Sequence, residues 1–161
     1  MTKEIIIEYF QPVLTKFYLD VKILIIGREL LMNKDIFNDI IKNLEINPII
    51  PCTKNYREIF SSEYKDIRTI FLHNAGIYEL NEIKEINAVN KKIIVLNIDS
   101  IGGISPDIQG ARYLKEHFNI NAIHSSSSKL INHFGKLGFL TIQSVFLVDT
   151  PSIEKVIQLI Q

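Results

Sequence analysis

Residues 91–118 read KKIIVLNIDSIGGISPDIQGARYLKEHF, and the order of their parts decides the fold. An unbroken apolar run, IIVL, gives way to polar residues and a glycine pair, and then to a segment whose apolar residues recur at helical spacing. A strand that is apolar at every position is one covered on both faces, which is the condition of a parallel sheet flanked by helices. The same unit recurs along the chain. NPIIPCTK (47–54), RTIFLHN (68–74), NAIHSS (121–126) and FLTIQ (139–143) are the other candidate strands. NKDIFNDIIKNLE precedes the first of them, and YREIF, YELNEIKEINAV, SKLINHFGKL and SIEKVIQLIQ are the remaining candidate helices. In the first helix Asn33 can cap, and Ile36, Phe37, Ile40, Ile41 and Leu44 form one stripe. Gly138, after Leu137, is placed to stop the helix before the fifth strand. Strand and helix in alternation predict an α/β fold with about five parallel strands.

The composition agrees. A chain of 161 residues, 47% hydrophobic and 22% charged, suits one domain with a real core. Seven glycines and five prolines are far too few for a collagen-like or low-complexity chain. Eighteen basic residues balance eighteen acidic ones, so no global field draws in a polyanion, and any nucleic-acid contact has to come from a local patch. Lys91, Lys92, Lys115, Lys129 and Lys136 are scattered and read as solvated charges. Cys52 has no partner for an internal disulfide and is predicted to be buried in the first strand. Apolar runs such as 23–26 fall far short of the roughly 20 residues that cross a bilayer, and no secretory signal opens the chain, so no membrane partner and a cytoplasmic location are expected.

Residues 1–31 follow the rhythm less well. They can supply an extra strand and helix, with 21–26 as the strand. Gly27, Arg28 and Glu29 can also be encoded by the purine run GGA-AGG-GAG, two codons ahead of Met32, which is how a translated ribosome-binding site would look. The expectation is a division into 1–31, an N-terminal extension ahead of a start at Met32, and 32–161, a partial β/α barrel.

In β/α folds ligands bind outside the carboxyl ends of the strands. Those ends are polar here: Lys54, then His73 and Asn74, then Asn97 and Asp99, then His124 to Ser126, then Gln143. With all strands parallel they fall on one rim and can surround a small polar or phosphorylated ligand, although polar residues are also what strand ends tolerate where burial stops. In the loop 97–110, Gly102 and Gly103 permit close backbone approach or a positive φ, and Asp107 can cap the following helix. Neither phosphate-loop spacing, G-x-x-x-x-G-K-[ST] or G-x-G-x-x-G, is present. His73, Asp99 and His124 lack any metal-ligand spacing, and Ser125 with a histidine and Asp99 lacks a G-x-S-x-G elbow, so neither a metal nor a hydrolytic triad is expected, and no cofactor. His117 and His133 fall in helices and read as surface residues.

The blocks NPIIPCTKN, FLHNAGIYELNEIKEI, KKIIVLNIDSIGGIS and AIHSSSSKLINHFGKLGFLTIQSVFLVDTPSIEK, in that order, resemble the glycerol-3-phosphate-responsive antiterminators of the bacterial glycerol uptake operon. The resemblance runs from about Met32 to Gln161 and is most specific in the last block. It implies a TIM-like β/α barrel and a sensor that binds leader mRNA and lets transcription pass a terminator when glycerol-3-phosphate is present. Residue by residue it implicates Lys54, Asp99, Gly103, Ser125, Gln143 and Asp149, with Ser126 beside Ser125 in the ligand-binding set. Three positions depart from the pattern: Asn97 stands where the family has His, Ser127 where it has a basic residue, and Ser144 where it has Arg. Two of these remove positive charge from the rim, which weakens an anion site because charge-assisted contacts are the strong ones.

The resemblance also implies three further strands after the fifth unit, and in β/α barrels the phosphate is commonly held by the loops after strands seven and eight. The expected fold is therefore an incomplete TIM-like barrel of about five parallel strands with flanking helices. A longer gene, a decayed one, or a second copy completing the open sheet as a homo-oligomer would each account for it. The expected function is a glycerol-3-phosphate-responsive, mRNA-binding antiterminator-like regulator of glycerol metabolism, incomplete or inactive in the truncated form, its partners a phosphorylated polyol and leader mRNA and its action free of chemistry. The alternative is a partial-barrel aldolase- or isomerase-like enzyme on a small phosphorylated substrate, with Lys54 as Schiff-base or electrostatic residue and Asp99 as acid/base.

Overall fold

The computed structural model describes residues 5–8, 21–25, 34–47 and 50–146. Its strands are β1 (Ile5–Glu8), β2 (Val21–Ile25), β3 (Cys52–Thr53), β4 (Thr69–Leu72), β5 (Ile93–Asn97), β6 (Ala122–Ser125) and β7 (Leu140–Phe146). Its α-helices are α1 (Lys34–Ile46), α2 (Ile77–Asn90), α3 (Ile108–Phe118) and α4 (Ser128–Lys136). Among the described residues the strands make one sheet in the order β1-β2-β7-β6-β5-β4-β3. The five strands from β3 to β7 are parallel and neighbour one another in chain order, as successive β/α units require. β2, within the expected 21–26, pairs antiparallel with β7 from Val21↔Phe146 to Leu24↔Gln143, and β1 pairs antiparallel with β2. Strands β3 to β7, alternating with helices in an open sheet, are the α/β architecture expected from the sequence.

Strands β4, β5 and β6 are buried on both sides, and their alternate residues enter two different cores. Ile70, Leu72, Ile94, Leu96 and Ile123 pack with Leu80 and Ile83 of α2, Leu114 and Phe118 of α3, and Phe134 of α4. Phe71, Val95, Ala122, Leu140 and Ile142 face the other way and pack with Ile40 of α1, with Ile36, Phe37 and Leu44 partly buried beside it. The stripe on α1 is thus spent on the face opposite α2 to α4. At roughly 1.5–3 kcal/mol for each large apolar side chain taken out of water, both faces contribute to stability.

Local chemistry sets the helix ends. Asp107 accepts from Gly110 N at 2.9 Å and starts α3, as expected for that residue. Gly76 N donates to Glu79 Oε2 at 2.9 Å at the start of α2. Gly138 has φ 76 and follows α4, where a left-handed residue ends the helix at least cost.

Several expectations need correcting. Among the described residues of the 47–54 run only Cys52 and Thr53 form strand, and Pro51 ahead of them has no N–H to give the ladder. Cys52 lies on this edge strand and is exposed, not buried. YREIF is a 3-10 helix, Tyr56–Phe60. Lys92 is buried, with Nζ donating to Tyr64 O at 2.5 Å and Ile67 O at 2.6 Å, and Lys115 Nζ donates to Leu137 O and Gly138 O at the end of α4. These two lysines satisfy backbone carbonyls and are not solvated charges. His117 is exposed and stacks on Tyr113, whereas His133 is half-buried with Nε2 unpartnered. Asn33, the 152–161 helix and Asp149 lie outside the described residues.

Candidate ligand site at the strand ends

Because β3 to β7 run parallel, their carboxyl ends share one edge of the sheet, and the polar residues expected there do converge. They divide between the two faces. His124 follows Ala122 by two residues and lies edge-on to Phe71 with ring centroids 5.4 Å apart, so it belongs to the face of α1. Ser125 follows Ile123 and belongs to the face covered by α2 to α4.

On the α1 face a row of neutral polar side chains crosses four strand ends. Asn97 Nδ2 lies 2.8 Å from His73 Nδ1, the His73 and His124 rings are 5.8 Å apart, and His124 Nε2 is 2.5 Å from Ser144 Oγ. Asn97 and His124 are only 8% and 7% exposed. His124 Nδ1 is buried without a hydrogen-bond partner. Burial, then the neighbouring His73, lower the His124 pKa to about 4, with Asp99 pulling the other way. Burial also lowers the His73 pKa, helped by Lys54 and opposed by Asp99. At neutral pH both rings are therefore uncharged hydrogen-bonding groups. Lys54, exposed beyond β3, is the cation that this end of the sheet brings to them.

On the other face the polar groups fasten structure together. Asp99 Oδ1 accepts from Ser125 Oγ at 2.5 Å, and its Oδ2 accepts from Ser126 N at 2.7 Å and Ser126 Oγ at 2.9 Å. Burial works to raise the Asp99 pKa, but these hydrogen bonds outweigh it and hold the carboxyl below its ordinary value. Ser125 is fully buried and also accepts from Ser127 N, so it ties the end of β6 to the turn before α4. Gln143, 5% exposed, donates to Ser128 Oγ at 2.7 Å and anchors the first residue of α4 to β7. Gly103 has φ 79 with Ile77 3.1 Å from where a Cβ would sit, and the neighbouring Gly102 bridges in parallel to Gly76, so the loops after β4 and β5 are pinned together.

Of the residues singled out by sequence, Lys54, Asp99, Gly103, Ser125, Ser126 and Gln143 lie at this edge, with Asp99, Ser125 and Ser126 in mutual contact. Asp149 is not described. Sequence reasoning noted His73, Asn97 and His124 as strand ends but left them out of its ligand set, and it met Ser144 only as a departure. Among the described residues no cluster of three His, Cys, Asp or Glu could hold a metal ion. A cleft of about 150 Å³ lies at the opposite end of the sheet, between α1 and the start of β4, lined among others by Asn43, Asn47, Asp66, Arg68 and Thr69. No described helix is long and apolar enough to cross a membrane.

Residues 49–161 match a family model described as glycerol-3-phosphate responsive antiterminator. Among solved structures the fold is similar to that of the glycerol uptake operon antiterminator regulatory protein from Listeria monocytogenes, with a TM-score of 0.57 and 20% identity over 70% of this chain. The match covers 60% of that protein, so the chain spans less than two thirds of its length. No curated protein sequence matches the chain.

Proposed function

This chain belongs to the glycerol-3-phosphate responsive antiterminator family, and from there we propose that it is a metabolite-responsive, mRNA-binding regulator of glycerol metabolism that works in the cytoplasm and without chemistry. Glycerol-3-phosphate or a similar phosphorylated polyol binds at the carboxyl ends of β3 to β7. The row His73–Asn97–His124–Ser144 takes the polyol hydroxyls, Lys54 supplies positive charge, and Asp99, Gly103 and Ser126 form the rim. Ser125 and Gln143 keep the rim in shape from the other face, and Asp149 belongs to the same proposed set. Residues 32–161 are the antiterminator-like domain in this reading, and 1–31 are its extension.

The observation that carries this reading is the row itself. Four buried or half-buried polar side chains from separate strand ends stand in one line, where parallel folds bind ligands. Occupancy would favour one arrangement of the rim loops, and that arrangement would bind leader RNA better, by no more than the ligand's differential affinity for the two states. The enzyme alternative draws less support. Lys54 is exposed, whereas a carbonyl-reactive lysine needs a desolvated pocket, and Asp99 is held ionised by three hydrogen bonds.

Calorimetry with sn-glycerol 3-phosphate, glycerol and inorganic phosphate tests the ligand, and a mobility shift of leader RNA with and without it tests the response. Saturable heat with the phosphorylated polyol, lost in His124→Ala, is the expected result. Equal silence from all three compounds would remove the ligand, and an RNA shift indifferent to ligand would remove the switch.

A further inference from the structure

Asn97 makes two hydrogen bonds whose directions are both determined, one within the end of β5 and one across to the end of β4. A backbone N–H can only donate, so Asn97 Oδ1, 3.0 Å from Asp99 N, is the acceptor there. The other end of the same amide, Nδ2, carries two hydrogens and offers no lone pair. It faces His73 Nδ1 at 2.8 Å, so Nδ1 accepts and holds no proton. Uncharged His73 then carries its hydrogen on Nε2.

We infer that Asn97 is a positioning residue: it sets His73 as the neutral Nε2–H tautomer and turns that N–H into a fixed donor for an oxygen of the bound ligand. The donor role rests on the reading of the site given above; the tautomer does not. A second proton on Nδ1 would point at the amide hydrogens of Asn97 and could enter only by breaking that bond. The charged and titratable groups that face His73 are Lys54 from the end of β3, Asp99 from the end of β5 and His124 from β6. Lys54 and burial oppose the charged ring and Asp99 favours it, with the net balance downward. The site therefore offers a hydrogen-bond donor that stays uncharged to lower pH than a free imidazole would.

The test is ¹H–¹⁵N long-range correlation NMR of the full chain at pH 7.5, with the His73 ring identified by its loss in His73→Gln. The expected pattern is that of an Nε2–H imidazole, whose Nε2 resonance moves on adding sn-glycerol 3-phosphate. In Asn97→Asp both carboxylate oxygens accept, so the proton is expected to appear on Nδ1 and the His73 titration to shift upward. A protonated Nδ1 in the unaltered protein overturns the inference even if calorimetry finds the ligand bound. So does an unchanged His73 titration in folded Asn97→Asp. If that variant does not fold, the tautomer in the unaltered protein decides alone. The expected tautomer with an Nε2 resonance indifferent to the phosphate overturns the donor role and the reading of the site while leaving the tautomer assigned.

Discussion

Burial of His124 against Phe71 and beside His73 brings its pKa to about 4. Between that value and the ordinary 6.5 the unfolded chain binds a proton that the folded chain does not, so stability rises with pH across this window. The contribution is complete above about pH 6.5, is lost as pH falls to about 4, and amounts to about 3 kcal/mol at most. Urea unfolding at pH 7.5, 5.5 and 4.0 should show that loss, and His124→Gln should flatten it; an equal slope in both proteins would contradict the burial. Asp99 works in a lower window. Its depressed pKa makes its contribution full above the unfolded value and lost as pH falls through the folded one. Asp99→Asn is expected to cost about 1 kcal/mol at pH 7, at the low end for hydrogen bonds to a charged group because the residue is exposed, and to shrink the loss below pH 4. These residues were visible in the sequence as strand ends, but their division between two faces was not. Runs such as IIVL and AIHS are buried on both sides, so they carry no alternation from which to tell where His124 points and where Ser125 does.

At the start of α3 the chain comes close to itself. A Cβ on Gly110 would lie 1.9 Å from Ser105 O and 2.9 Å from Ile104, so Gly110→Ala must push the helix off its entry loop. It is expected to cost about 3 kcal/mol, the upper range for overpacking. Asp107→Ala removes only the cap and is expected to cost about 1 kcal/mol. Thermal unfolding of the two variants should rank them in that order, and the reverse ranking would mean the entry loop yields freely. The cap was legible because Asp ahead of a periodic apolar segment has a local meaning. The requirement for glycine at 110 was not, since the obstructing carbonyl belongs to the loop before the helix and its approach depends on how the loop is folded back. The 47–54 run reads as strand throughout, whereas among its described residues only Cys52 and Thr53 pair.

At the scale of the whole molecule, α1 covers the face opposite α2 to α4 among the described residues. Ile40, 1% exposed, is its central contact, and Ile40→Ala is expected to cost about 2–5 kcal/mol, read as a fall in the unfolding midpoint. A chain begun at Met32 would lack β2, leaving β7 with an unpaired edge, and such edges template association. Light scattering should find that shortened chain self-associating; a stable monomer would show that the edge needs no cover. The sequence by itself determined the alternation of strand and helix, the parallel order of β3 to β7, the cap at Asp107, the stop at Gly138 and the family. All but the family are written in short-range periodicity or in residue types whose local chemistry has a plain reading, and the family was carried by the resemblance of the quoted blocks. Only the tertiary structure decided that β2 pairs with β7, that α1 takes the opposite face, and that Asn97, His73, His124 and Ser144 stand in a row. Those are relations between segments up to a hundred residues or more apart, created when strands come into register, and no local pattern encodes which buried side of a doubly covered strand will carry the polar end.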